Sequence, residues 1–425
     1  MRASVAFLLP LGLAAATHLD LAKIRAEIKE KADAVIANTV PKVVPLFNFL
    51  ALTRSGEVLY QATAGTRQYG STVPLNFHDF FWLASHTKIL GMMSLMKCVD
   101  YGLIRLDDSV LGLLPDLAKE QVRMKPNDPK SPTRSRVGDI TVRNLLTFTG
   151  GNAYPVVDFL ATLSPATIVT DPAPFFPNNR SVYEGAHAAD PNCVWRYGAE
   201  ADYAGLLVEK LTGRSLGDFI QRHLLTPAGV SPEEFSFRPN KEQTARLVGQ
   251  HVRVDAKTIV PRGPIYNTTN IQFESAGAGG FGTISALAEA LLPFVNNGRH
   301  PKTGAQILSP EMTKEALSPQ LSQAELVNGL NQPTQAANDG GLFFPGTEKQ
   351  WGLGAMLFPA GFDTGRGNGT FAWAGFSNTN WHTDNEKGVV MLGWSSFIAQ
   401  DDPIFNAQVR YPIEKIIYDI IGEGF

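Results

Sequence analysis

Cysteine is scarce in this chain of 425 residues, which contains only Cys98 and Cys193. Two cysteines cannot form a disulfide framework, and Cys98 falls on an apolar run where a small core residue is expected. The eight histidines show neither a His-x-His nor a His-Glu-x-x-His spacing. We therefore predict no metal site and no cofactor.

Charge is also sparse, since charged residues make up 18% of the chain and the formal net charge is -3. Without a basic stripe or an acidic block, nucleic-acid binding has no electrostatic basis. Hydrophobic residues reach 44%, but no segment has the ~20 consecutive apolar residues that span a bilayer. The length exceeds what one ordinary core holds, so we predict two lobes or one elaborated domain.

The N-terminal segment, residues 1–17, allows two interpretations. Residues 5–16 are apolar and follow Arg2, and they end in small residues as a short signal peptide does. Pro10 and the single charge before it favour an apolar arm that packs on the fold. The localisation stays open: a cleaved segment would mean a secreted protein, and an intact arm would favour a cytoplasmic one.

Strand patterns occur at both ends of the chain and helical patterns between them. Helices are predicted over 20–38 and 403–421, and strands over 47–53, 58–63, 352–358, 370–373, 378–383 and 388–394. We predict an α/β (α+β) fold in which one antiparallel sheet is flanked by the terminal helices. Residues 18–100 and 273–425 form this sheet domain, and residues 101–272 form an inserted all-helical lobe.

The stretch Ser85-His86-Thr87-Lys88 opens a long apolar run that predicts a buried helix. Ser85 and Lys88 are three residues apart and share a helical face. A serine in the first turn lies at the positive end of the helix, where unpaired N–H groups favour an alkoxide. The spacing alone favours an N-cap serine beside an exposed lysine, and the further motifs below reverse that preference.

Three other motifs imitate catalytic signatures. Ser94-Leu95-Met96-Lys97 repeats the spacing in the middle of the apolar run, where the hydroxyl would be packed. Gly213-Arg214-Ser215-Leu216-Gly217 copies a nucleophile elbow but follows a helix, so Ser215 is predicted to cap the next helix. Lys302-Thr303-Gly304 lies in a predicted turn between helical runs.

Three blocks in the same order resemble the fungal acyltransferases of the lovastatin transesterase type: Leu83–Lys88, Asp139–Thr147 and Trp195–Gly205. Those enzymes belong with class C β-lactamases, penicillin-binding proteins and family VIII esterases, and the resemblance covers nearly the whole chain after residue 17. It implies a β-lactamase/transpeptidase-like fold and serine acyl transfer.

The resemblance also implies roles for three residues. Ser85 is the nucleophile, and Tyr197 takes the place of the tyrosine in the family's Tyr-x-Asn motif. Ala199 replaces the asparagine of that motif, which argues against β-lactam chemistry. Lys88 is either charged and stabilises a Tyr197 phenolate, or neutral and itself the base.

The family's third element, a Lys-Thr-Gly-like triplet on an edge strand, is best matched by Trp373-Ala374-Gly375. The backbone N–H groups of Ser85 and Phe376 would then form the oxyanion hole. A tryptophan replaces the cation common in this triplet, which together with Trp351 indicates an apolar, bulky substrate. We add Tyr154, which begins a Pro- and Asn-rich segment, to the substrate-binding residues.

The predicted function is transfer of a short acyl group, through a Ser85 acyl-enzyme, from a thioester or ester to a polyketide-like alcohol. The expected partners are a small-molecule acyl donor, which an acyl-carrier thioester could be, and an apolar alcohol acceptor, with the protein acting as a monomer. Two alternatives stay open: a carboxylesterase, which uses water, and a non-catalytic binding protein. The second is disfavoured because binding alone does not require Ser85, Lys88 and Tyr197.

Overall fold

A computed structural model describes residues 20–125, 130–152, 187–266, 268, 270–321, 330, 347–398 and 402–425. The predicted arm or signal peptide at residues 1–17 and the predicted pocket residue Tyr154 lie outside these residues. Among the described residues, no helix is both long enough and apolar enough to cross a membrane.

The helices of the described residues are mostly short, apart from four that shape the fold. They are α1 (Leu21–Thr39), α2 (Thr87–Asp100), α3 (Pro115–Lys119), α4 (Val142–Thr147), α5 (Glu200–Thr212), α6 (Leu216–Ile220), α7 (Lys241–Ala245), α8 (Ile284–Leu291), α9 (Pro310–Ala316), α10 (Pro403–Phe405) and α11 (Tyr411–Ile421). Single 3₁₀ or π turns extend some of them, at Ala84–His86, Gln221–Leu225, Pro232–Glu234, Leu292–Val295 and Asn406–Arg410.

The strands of the described residues form one large sheet and three small ones. They are β1 (Leu46–Thr53), β2 (Val58–Gly65), β3 (Phe81–Trp82), β4 (Val122–Arg123), β5 (Thr133–Arg134), β6 (Phe235–Ser236), β7 (Gln250–Arg253), β8 (Ile259–Arg262), β9 (Phe281–Gly282), β10 (Gln350–Trp351), β11 (Met356–Phe358), β12 (Thr370–Gly375), β13 (Thr379–Asp384), β14 (Val389–Trp394) and β15 (Phe397–Ile398). The large sheet has the order β10-β11-β12-β13-β14-β1-β2 and is antiparallel throughout. The predicted sheet from both ends of the chain is therefore present.

Strand β1 separates two hydrophobic cores by simple alternation of its side chains. Leu50 and Leu52 belong to the core that includes α2, whereas Phe49 and Ala51 belong to the core beneath α1 and α11. Side chains two residues apart lie on the same face of a strand, so an unbroken apolar strand must be covered on both faces. The terminal helices cover one face of the sheet, and α8 lies against the other.

The first helix begins where its cap predicts. Asp20 accepts hydrogen bonds from the backbone N–H groups of Ala22 and Lys23 at 3.1 and 3.2 Å, which satisfies two donors that a helix start leaves unpaired. Ile24 and Ile28 on the inner face are buried. A polar cap followed by an apolar stripe thus fixes both the start and the orientation of α1.

The inserted region, residues 101–272, contains short strands as well as helices. Strands β4 and β5 form a small hairpin, and β7 pairs with β8 and in parallel with β15 near the C-terminus. The expectation of an all-helical lobe is corrected to this extent. Two- to four-residue strands carry too little periodicity to be distinguished from loops in the sequence, and the pairing of β7 with β15 depends on a distant segment.

Candidate active site

Ser85 is the partly exposed residue in an otherwise buried stretch, residues 79–96. It lies in the 3₁₀ turn Ala84–His86, which leads directly into α2. Ala84 has a φ of 47°, in the left-handed region that non-glycine residues seldom adopt. The Thr87 hydroxyl donates to the Ala84 carbonyl at 2.7 Å and holds this turn. The local backbone thus presents one hydroxyl to solvent at the end of a buried helix.

Two proton-carrying side chains contact the Ser85 hydroxyl. The Tyr197 hydroxyl donates to Ser85 Oγ at 2.6 Å, and Lys88 Nζ donates to the same oxygen at 3.2 Å. Lys88 Nζ also lies 4.7 Å from the centre of the Tyr197 ring. The structure therefore brings together the three residues that the sequence singled out, although Tyr197 is separated from Ser85 by 112 positions.

The Lys88 amine is buried and has a backbone hydrogen-bond acceptor. Its side chain also donates to the backbone carbonyl of Gly277 at 2.6 Å. Burial lowers the pKa of Lys88 from its ordinary value of 10.5 to about 7, and the negative charges of Asp202 and Glu200 oppose this shift. A large fraction of Lys88 is therefore neutral near pH 7, as a general base requires.

Tyr197 is held by aromatic neighbours. Its ring stacks on Phe148 with 5.4 Å between centroids and contacts Trp373 at 5.3 Å. Burial raises the pKa of the Tyr197 phenol above its ordinary value of 10, and the hydrogen bond with Ser85 only partly offsets this. The two directions agree, because a lowered lysine pKa and a raised tyrosine pKa both favour the pair in which each group is neutral.

The triplet Trp373-Ala374-Gly375 lies on β12, which has neighbours on both sides in the sheet. It is therefore not on an edge strand as expected. However, β11 pairs only with residues 370–372, so the triplet runs past the end of that neighbour. A Cβ on Gly375 would lie 2.7 Å from the Leu83 carbonyl oxygen, so glycine is required where β12 meets the turn of Ser85.

The remaining predicted substrate residues differ in exposure. Trp351 is fully buried and its ring lies 5.1 Å from that of Trp373, so it supports Trp373 from behind. Trp373 and Ala374 are themselves almost completely buried. Phe376 is the partly exposed residue between buried neighbours on β12 and β13. Together with Ser85, it marks where solvent reaches this part of the molecule.

The imitating motifs are confirmed as structural. The Ser94 hydroxyl donates to the Leu90 carbonyl inside α2 at 2.8 Å. Ser215 caps α6 by accepting from the Asp218 N–H at 3.3 Å. Lys302 contacts Glu289, and its triplet lies in a turn.

Several residues of the site were missed by the sequence argument. Asp202 and Ser275 form a buried hydrogen bond of 2.6 Å, and Gly277 accepts from Lys88. Glu200 is fully buried, accepts from the Asn152 N–H at 3.2 Å, and has a carboxyl pKa that burial raises well above its ordinary value. The sequence signal was the presence of Glu200 and Asp202 on an apolar helix just after Tyr197. Acidic residues are seldom buried without a partner, so this pattern indicates a polar network beside the site.

Comparisons with known proteins show the family of this chain. The model of the beta-lactamase family matches residues 48–398. Monacolin J acid methylbutanoyltransferase of Aspergillus terreus is 28% identical over 411 residues, which cover 92% of this chain and 94% of that protein. A lovastatin esterase of Penicillium rubens is 24% identical over 385 residues, covering 87% of this chain and 92% of that protein.

A solved structure gives the same answer for the fold. A mutant form of simvastatin synthase from Aspergillus terreus superposes with a TM-score of 0.79 at 25% identity, covering 94% of this chain and 98% of that chain. The β-lactamase/transpeptidase-like fold and the resemblance to fungal acyltransferases are thereby confirmed.

Proposed function

This chain belongs to the beta-lactamase family, and from that premise we propose that it is a serine acyl-transfer enzyme with Ser85 as its nucleophile. The observation that carries the proposal is the double contact on Ser85 Oγ, 2.6 Å from the Tyr197 hydroxyl and 3.2 Å from Lys88 Nζ. A nucleophile within hydrogen-bond reach of a base, with that base held by a third group, is the arrangement of covalent catalysis.

In the acylation step, neutral Lys88 takes the proton of Ser85 while Oγ attacks the carbonyl carbon of the donor. The backbone N–H groups of Ser85 and Phe376 stabilise the oxyanion. Tyr197 gives its proton to the leaving thiolate or alkoxide, and the Lys88 ammonium then returns a proton to the phenolate. Charge and protons balance, and the acyl-enzyme is left with both groups neutral.

In the transfer step, the acceptor alcohol occupies the position that the leaving group vacated. Its proton passes to Tyr197 while Tyr197 passes its own proton to Lys88. The alkoxide attacks the acyl-enzyme, and Lys88 protonates Ser85 Oγ as the ester forms. The same two side chains serve both steps in opposite directions, as microscopic reversibility requires.

The substrates we propose are a short acyl thioester or ester and a polyketide-like alcohol. Support comes from the neutral Trp373 in the triplet and from the relative named as a methylbutanoyltransferase of monacolin J acid. The donor is a small molecule, which an acyl-carrier thioester could be, and we propose that the protein acts as a monomer. Trp373 and Ala374 border the acyl site, and Trp351 backs Trp373.

A second candidate is a carboxylesterase, in which water replaces the alcohol. The relative named as a lovastatin esterase favours this candidate. The same three residues would serve either water or an alcohol as the acceptor. The two functions differ in how well the acyl-enzyme excludes water while it holds an alcohol.

The test is the intact mass of the protein after mixing with a short acyl thioester, followed by peptide mapping. We expect an acyl adduct on Ser85 that is absent in Ser85→Ala and present in the matched control Ser94→Ala. Adding alcohols then separates transfer, which gives a new ester, from hydrolysis, which gives the free acid. Absence of any adduct with thioesters and with activated aryl esters would overturn the proposal in favour of a binding protein.

A further inference from the structure

Hydrogen bonds join the turn Ser275–Gly280 to the segment around Ser85. Lys88 Nζ donates to the Gly277 carbonyl at 2.6 Å, and the indole N–H of Trp82 donates to the Ala278 carbonyl at 2.7 Å. The Gly280 N–H donates to the Thr87 hydroxyl at 3.0 Å. The position of this turn therefore decides where the amine of Lys88 is held.

The same turn is hydrogen-bonded to α5, the helix that follows Tyr197, through the buried carboxylate of Asp202. Asp202 Oδ1 accepts from the Ser275 hydroxyl at 2.6 Å and from the Gly277 N–H at 3.0 Å. Ser275 Oγ in turn accepts from the Ala278 N–H at 3.1 Å. Asp202 is almost fully buried, and hydrogen bonds to a buried charged acceptor are among the strongest in proteins.

Packing leaves the turn no room to shift. A Cβ on Gly91 of α2 would lie 2.6 Å from the Ala276 Cβ, and a Cβ on Gly205 of α5 would lie 3.0 Å from it. Ala276 therefore fits between the helix that carries Lys88 and the helix that follows Tyr197. A displacement of the turn would therefore act on α2, which carries Lys88, and on α5, which carries Asp202.

The titratable groups around Lys88 are Asp202, Glu200 and Tyr197. Burial lowers the Lys88 pKa. The negative charge of Asp202 raises it, and that of Glu200 raises it less. The Tyr197 ring lies 4.7 Å from Lys88 Nζ. Asp202 thus has two separable properties: an oxygen that fixes the turn and a negative charge that holds a proton on the amine.

We infer that Asp202 is a positioning residue, which through the Ser275–Gly280 turn fixes the amine of Lys88 against Ser85 and sets its basicity. The inference rests on the proposed function, because it assumes that Lys88 serves Ser85. Its effect on the reaction passes through the Gly277 carbonyl that holds Lys88, and this gives it its own kinetic signature.

The experiment compares Asp202→Asn with Asp202→Ala in the full-length protein. Stopped-flow acylation by a p-nitrophenyl ester is followed as a function of pH, which reports the base directly. Asp202→Asn keeps an oxygen acceptor but loses the charge, so the acid limb of its pH profile should move to lower pH by about half a unit or more. Asp202→Ala also loses the anchor, and its plateau rate should fall on the order of 10- to 100-fold.

A matched control is Asp384→Asn. Asp384 is equally buried and accepts from the Gly367 N–H and the Tyr418 hydroxyl, in the layer of α11. Its substitution should lower thermal stability without moving the acid limb. An unshifted acid limb in Asp202→Asn, or a plateau of Asp202→Ala that equals the wild-type value at a temperature where both are folded, would overturn the inference. Failure of the proposed function would look different, since Ser85 of the wild type would then not be acylated.

Discussion

At the scale of single residues, the proposed reaction depends on the protonation of the two side chains that contact Ser85 Oγ. Ser85 Oγ accepts from both Tyr197 and Lys88, so a proton must leave one of them before Ser85 can lose its own. The lowered pKa of Lys88 and the raised pKa of Tyr197 assign that loss to the lysine. This residue-level choice sets the pH dependence of the whole reaction.

We predict that kcat/KM for acylation increases as pH rises through about 7, the pKa of Lys88. A decrease is expected only above the ordinary range of tyrosine, because burial raises the Tyr197 pKa. The check is the pH profile together with the ultraviolet difference spectrum between wild type and Tyr197→Phe. A tyrosinate signal near neutral pH that disappears in Tyr197→Phe would show that the phenolate, and not the amine, is the base.

Lys88 also bears on stability. Its pKa falls from 10.5 unfolded to about 7 folded, so between these values the unfolded chain binds a proton that the folded chain does not. Stability therefore rises with pH across that window, and at pH 7 and below the buried amine is a burden. We predict that Lys88→Met raises the free energy of unfolding at neutral pH by about 1–2 kcal/mol while abolishing acylation.

Thermal denaturation at neutral pH and above pH 10.5 checks this prediction. The gain should be largest at neutral pH and should shrink at the higher value, where the lysine is neutral in both states. Lys97→Met, at a half-buried lysine of the same helix that bonds the Gln306 carbonyl, is the control. A Lys88→Met variant that is less stable than the wild type at neutral pH would contradict it.

At the scale of elements, helices α2 and α5 are spaced by the small residue between them. Gly91 on α2 and Gly205 on α5 both face Ala276, and neither has room for a methyl group without movement. Their spacing also bears on that of Lys88 and Tyr197, since Lys88 lies in the first turn of α2 and Tyr197 shortly precedes α5.

We predict that Gly91→Ala lowers the free energy of unfolding by about 1–3 kcal/mol, because the new methyl overlaps Ala276. The double variant Gly91→Ala with Ala276→Gly should recover most of this loss, which denaturant titration measures. Gly112→Ala, at a glycine with nothing near its absent side chain, is the control. Additive losses in the double variant would mean that the two residues do not compete for the same space.

The sequence was enough to predict the strands and to single out Ser85, Lys88 and Tyr197, which the structure brings together, but not the contacts that support them. Apolar strands such as β1 and β14, and a capped helix such as α1, have local signals that repeat every two or four residues. The bond from Asp202 to Ser275 spans 73 positions, and no local pattern encodes it. The same limit applies to Trp351, because an aromatic residue beside a site can lie in the pocket or behind it.

At the scale of the whole molecule, a buried ion pair joins the last helix to the large sheet. Arg366, in the loop before β12, pairs with Glu414 of α11 through Nη2 and Oε2 at 2.7 Å, and both side chains are 3% exposed. Helix α11 packs with α1 over one face of the sheet. This ion pair therefore connects the last helix to the middle of the sheet.

Glu414→Gln should lower the free energy of unfolding by about 3–5 kcal/mol, since it leaves the Arg366 charge buried and uncompensated. Burial would raise the Glu414 pKa, but the nearby Arg366 and other cationic groups lower it from 4.5 to about 2. The wild type should therefore keep this contribution above pH 4.5 and lose it as pH falls towards 2. Denaturation over that range should show a flatter pH dependence for the variant, and identical slopes would contradict the assignment.

The central pairing of β1 with β14 has a consequence for how the protein is made. Leu46–Thr53 is synthesised long before Val389–Trp394, its partner. Until β14 is made, one edge of the buried strand β1 has no hydrogen-bonded partner strand. Pairing the two strands also closes a long loop, which slows folding because of its entropic cost. We expect the nascent chain to expose this unpaired strand edge until β14 is made, so that its yield in a cell depends on chaperones or slow synthesis as well as on the stability of the folded protein.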